Sequence, residues 1–78
     1  MMVRTTSFKA KGKRQLSKLA DFLGDMLDEI PIRTSNGYQI GASTLTENGT
    51  VTWGNKVTAG LIDLVIWQGA SEGFEVSK

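Results

Sequence analysis

Between Lys13 and Ile30 the apolar positions fall at Leu16, Leu19, Ala20, Leu23, Met26, Leu27 and Ile30, the alternating three- and four-residue spacing of one helical face. Ser17, Lys18, Asp21, Gly24, Asp25, Asp28 and Glu29 fall opposite, and Phe22 widens the apolar edge. Pro31 lacks an N–H and restricts the residue before it, so the helix is expected to stop at Ile30. Gly24 lies on the polar side, where it costs up to about 1 kcal/mol relative to alanine. It reads as a tolerated surface glycine, with the close approach of another group as the alternative.

Beyond the helix the period changes. Asn36-Gly37 and Asn48-Gly49 mark turns, and the second lies between Tyr38–Leu45 and Thr50–Trp53. Asn-Gly between such runs predicts a hairpin closed by a type I′ turn, which needs positive φ at both central residues. That turn sets Thr46 against Val51 and Thr44 against Trp53. Tyr38, Ile40, Ala42, Thr44, Val51 and Trp53 then share one face, and Gln39, Gly41, Ser43 and Thr52 the other. From Lys56 to Gln68 the pattern favours a helix capped by Asn55 over a strand. Ile62 and Ile66 would then need cover from a second copy or a partner. Trp53 and Trp67 are both expected in the core. Gly69–Gly73 followed by Phe74-Glu75-Val76 reads as helix exit, turn and strand. Val3–Ala10 alternates weakly, as an edge strand would, although residues 1–12 could also be a flexible basic segment.

The sum is an α+β fold: a small antiparallel sheet with an amphipathic N-terminal helix and a second helix, in the order β-α-β-β-α-β. The 78 residues make one domain. A chain of this length buries only about 60% of the surface exposed when unfolded, which leaves little room for a deep cleft.

Composition narrows the chemistry. The chain has no Cys and no His. Disulfides, zinc and iron–sulfur centres, thiol nucleophiles and imidazole bases are therefore excluded. The abundant Ser and Thr have no evident base beside them, and no phosphate-cradling glycine loop is present. We expect neither enzymatic activity nor a cofactor. No run approaches the about 18 apolar residues of a membrane span, and no signal peptide is evident, so a cytoplasmic location without membrane contact is expected.

The net charge of +1 conceals a segregation. Lys9, Lys11, Lys13, Arg14 and Lys18, with Arg4, make residues 1–18 wholly basic, and Asp21, Asp25, Asp28 and Glu29 make residues 19–30 wholly acidic. This order opposes the helix dipole, so helix stability did not select it. The grouped carboxylates could bind a magnesium ion or act as an acid/base pair, but they read better as the solvated face of a surface helix, which within the function expected below would compete for a basic groove on a protein partner. The basic run could contact phosphates, with Phe8 and Tyr38 offered for base stacking.

Trp67-Gln68, then Gly73-Phe74-Glu75-Val76 after a gap of four residues, resembles the C-terminal part of the small T7-type phage protein that inhibits bacterial RNA polymerase. The resemblance spans about a tenth of the chain, and a helix-end Trp followed by Gly-aromatic-Glu-Val is also a common helix-to-strand passage. It implies a small fold that binds and blocks host machinery without catalysis, and it assigns no role to any residue. The expected function is thus a non-catalytic protein-binding module, an inhibitor or adaptor of the kind phages and mobile elements encode, docking on a larger host assembly that could itself handle nucleic acid. The alternatives are a nucleic-acid-binding protein using the basic segment and a homo-oligomeric structural protein, of which a homodimer is the simplest form.

Overall fold

The computed structural model describes residues 4–76. Val3, where the N-terminal strand was expected to begin, lies outside them. The architecture is α+β, as expected: strands β1 (Thr5–Ser7), β2 (Ile32–Thr34), β3 (Gly37–Ile40), β4 (Ser43–Thr46) and β5 (Thr50–Thr52), with helices α1 (Gly12–Leu27) and α2 (Ala59–Ser71). The sheet is antiparallel in the order β1-β5-β4-β3-β2. The chain order is therefore β-α-β-β-β-β-α. The expected reading missed β2, merged β3 with β4, and placed a strand at Phe74–Val76 where only a single bridge joins Val76 to Phe8.

The hairpin register also differs by one residue from the expected one, and two turns account for which side chains face inward. The chain reverses at Gly41-Ala42, where Gly41 alone has positive φ (61°), the signature of a type II′ turn. After that reversal the inward positions change from even to odd numbers. At Asn48-Gly49 the loop is one residue longer than a type I′ turn, with Leu45 opposite Val51 and Thr44 opposite Thr52. Gly49 N–H donates to the Thr46 carbonyl at 3.0 Å, and Gly49 takes φ 90° as the bulged residue. The Thr46 hydroxyl accepts from Thr50 N–H at 3.2 Å and donates to the Asn48 side-chain oxygen. A side chain at 49 would strike the Phe8 carbonyl, whose residue donates its N–H to Gly49 O at 2.9 Å. Ile40, Ser43, Leu45, Val51 and Trp53 consequently face inward, while Thr44 and Thr52 face out.

Both helices cover that inner face. Leu16, Leu19, Ala20, Phe22 and Leu23 of α1 meet Phe8, Ile40, Leu45, Val51, Trp53, Val65 and Phe74 in one apolar cluster. Buried Ser43 is satisfied by Gly54 N–H at 2.8 Å, and Trp53 Nε1 donates to the Thr6 hydroxyl at 2.9 Å. Across the opposite face run two uncharged rows, Thr5-Thr52-Thr44-Gln39-Ile32 and Ser7-Thr50-Thr46-Gly37-Thr34. Pro31 and Arg33 blunt the exposed edge at β2.

α1 ends three residues before Ile30. Asp28 adopts a left-handed conformation (φ 55°), and Glu29 N–H closes the helix on the Gly24 carbonyl at 2.9 Å. Pro31 therefore does not stop the helix. It folds back onto it, and a Cβ on Gly24 would lie 2.8 Å from the proline ring. Gly24 is buried by its own chain, and Ile30, expected in the apolar stripe, is 83% exposed. α2 is capped by Thr58, not Asn55: its hydroxyl accepts from Leu61 N–H at 3.1 Å. The helix leaves through Gly73 (φ 93°), with Phe74 N–H bonded to the Gly69 carbonyl at 2.7 Å.

A charged groove between the two helices

Gly69 lets α1 and α2 come close, since a Cβ there would meet the Phe22 ring at 3.3 Å. Phe22 stacks on Phe74 with centroids 5.4 Å apart. Lys18 shares surface with Glu72 near one end, and Leu27 shares it with Val57 and Leu61 near the other, so the helices run in opposite directions. Between them on the solvent side lies a groove of about 480 Å³. Its floor is Phe22, Met26 and Phe74, one rim is Lys18, Asp21 and Asp25, and the other is Gln68 and Glu72. An apolar floor with acids on both rims suits a ligand that combines an apolar anchor with positive charge.

The four acids expected to share one face divide. Asp21 and Asp25 stand on the outer face of α1 beside the groove. Asp28 occupies the left-handed cap, and Glu29 lies beyond the helix with its side chain against Gly41. α1 ends before it can carry all four. Among the described residues no three acidic side chains gather in a way that could hold a metal ion.

The basic residues divide as well. Lys11, Arg14 and Lys18 line a shallow depression with Gln15, Glu72, Gly73 and Phe74, continuous with the groove through Lys18, Glu72 and Phe74. Lys9 pairs with Glu75 at 3.7 Å, an exposed contact of little energetic weight. Lys13 lies apart from them, lining a different depression with Arg33 and Glu47. Phe8 is fully buried and takes no part in base stacking, and the Tyr38 ring is covered by the Arg33 guanidinium 5.2 Å from its centroid.

Met26, Gln68, Glu72 and Phe74 were not singled out as site residues by the sequence. Their only signal is that Phe74 follows the glycine exit of α2, which fixes where the second rim ends. Trp53 is in the core, as expected. Trp67 is not: it is 65% exposed, and Leu64 50%. Ile62 and Ile66 are instead half-buried against the core. No described helix is long and apolar enough to cross a membrane. The chain matches no protein-family model, no curated protein and no solved structure.

Proposed function

We propose that this protein is a non-catalytic protein-binding module that receives a basic, amphipathic segment of a larger assembly in the groove between α1 and α2. The observation that carries this reading is the groove itself: Phe22, Met26 and Phe74 beneath Asp21, Asp25 and Glu72. An apolar side chain of the partner would occupy the floor, and flanking Lys or Arg would meet the acids. Rim charges of this kind set association rate and partner choice more than total affinity. An inhibitor or adaptor needs no more than that, and the resemblance of the C-terminal segment to phage-encoded inhibitors points the same way.

The test is capture from a bacterial lysate by the native chain and by Asp21→Asn/Asp25→Asn/Glu72→Gln. These side chains are exposed and outside the core, so far-UV circular dichroism should not change. Proteins retained by the native chain at low salt should be lost with the variant. Equal retention by both would rule out the acidic rims.

One arrangement favours a second reading. Lys11, Arg14 and Lys18 converge beside Phe74, a geometry that suits phosphates. Glu72 and Glu75 stand within the same surface and would repel them. Fluorescence anisotropy with single-stranded and duplex oligonucleotides across a salt series separates the readings. A steep linear fall of log affinity with log salt supports nucleic-acid binding, and no binding at low salt removes it.

A further inference from the structure

A second, smaller cavity of about 210 Å³ opens where the end of α1, the β3–β4 turn and the entry to α2 meet. It shares no residue with the groove. Leu27, Ile40, Val57 and Leu61 give it apolar walls. Gly54 holds the chain after β5 against the β3–β4 turn, since a Cβ there would lie 2.8 Å from that of Ala42. Among these groups lies the hydroxyl of Ser43, the one polar side chain buried with the core. Ser43 is 2% exposed, and its oxygen accepts from Gly54 N–H at 2.8 Å. Its own proton has no acceptor among the described residues.

Two side chains of opposite charge line the same cavity. Glu29 enters from the α1 side, with its carboxylate against Gly41. Lys56 enters from the α2 side, next to Val57. Both are exposed, and they do not pair with each other; the ion pair among the described residues is Lys9 with Glu75. The first turn of α2 holds no acid, so the helix dipole adds positive potential on the side of Lys56. The volume is below the about 300 Å³ at which pockets for drug-sized ligands begin. We propose that this cavity binds a free α-amino acid with an aliphatic side chain of leucine size. The side chain occupies the apolar walls, the ammonium meets Glu29, and the carboxylate meets Lys56 and accepts the Ser43 proton. A molecule carrying only one of the two charges leaves either Glu29 or Lys56 unanswered.

Amide and methyl NMR of the full chain titrated with leucine tests this. Saturable shifts should concentrate at Ile40, Ser43, Gly54, Val57 and Leu61, with a Kd of about 1 mM or tighter and with Phe22 and Met26 of the groove unmoved. Isopentylamine lacks the carboxylate and 4-methylpentanoate lacks the ammonium. Each should bind about tenfold more weakly than leucine, the worth of one hydrogen bond to a charged group. Leucinamide, which carries the ammonium of a peptide N-terminus, should bind like isopentylamine. Lys56→Gln should bind leucine no better than isopentylamine, and Glu29→Gln should bind it no better than 4-methylpentanoate. Both positions are exposed, so the circular dichroism spectrum should not change. Four results would each overturn the proposal: no saturable shift at about 10 mM leucine, equal binding of leucine and its two one-charge analogues, variants that keep the native preferences, or leucinamide binding as tightly as leucine. The last would assign the cavity to a peptide N-terminus.

Discussion

Gly24 and Gly60 both lie in helices, and their surroundings give alanine opposite effects. In an exposed helix, glycine to alanine is worth up to about 1 kcal/mol of added stability. At Gly60 nothing opposes that gain, so Gly60→Ala should raise the urea midpoint when measured at concentrations where the chain is monomeric. At Gly24 a Cβ would lie 2.6 Å from the Glu29 carbonyl and 2.8 Å from the Pro31 ring. Those atoms belong to the turn that ends α1, and overfilling such a site costs about 1–3 kcal/mol. Gly24→Ala should therefore lower the midpoint. If it raises the midpoint instead, Pro31 does not lie against α1. Thr6 offers a second residue-scale check. It accepts the Trp53 indole N–H at 2.9 Å, and Thr6→Val, nearly equal in shape, should cost about 1–2 kcal/mol through the lost partner.

Among the elements, α1 was the most legible, because its apolar residues repeat the helical period over four turns and every buried residue except Gly24 was assigned to that stripe or its Phe22 edge. Its end was less so: Asp28 in a left-handed cap carries no strong sequence mark, whereas Pro31 does. The sheet shows why register is harder. Side chains alternate with a period of two, so one extra loop residue at Gly49 and one overlooked reversal at Gly41 moved Ser43 from the assigned outer side to the core and Thr44 from the assigned inner side to the outer face. α2 is apolar nearly all round, and no pattern within it says which side is buried. That is decided by Gly69 admitting the Phe22 ring, a contact between residues 47 positions apart. The groove shares this origin. Asp21 and Asp25 could be marked from the sequence, but their opposite rim, Gln68 and Glu72, comes from a helix whose placement depends on the tertiary fold. At this scale Gly49→Ala should destabilise the chain by more than 1 kcal/mol, about the cost of a left-handed residue with a Cβ, because the β4–β5 loop and the attachment of β1 both need that position bare. Thermal unfolding checks it, and an unchanged midpoint would contradict the bulged loop.

For the whole molecule, the arrangement of charge says more than its sum. Bases lead α1 and acids close it, against the helix dipole, and Asp25 sits in the last turn where a negative charge is unfavourable. Asp25→Asn should accordingly stabilise the fold by about 0.3–0.5 kcal/mol at low salt, with the gain shrinking as salt is added. The same substitution should weaken partner capture. Gain of stability together with loss of binding is the mark of a residue kept for function. Beyond the basic depression of Lys11, Arg14 and Lys18, the surface offers an uncharged threonine-rich sheet face, the exposed apolar side of α2 and the groove, and the proposed function rests on the groove. Its most direct test is amide and methyl NMR of the labelled protein titrated with the basic segment of the captured partner. Shifts should concentrate at Lys18, Asp21, Phe22, Asp25, Met26, Gln68, Glu72 and Phe74, with the sheet face silent. Shifts concentrated on Thr5, Thr44 and Thr52, with Phe22 and Met26 unmoved, would contradict the account.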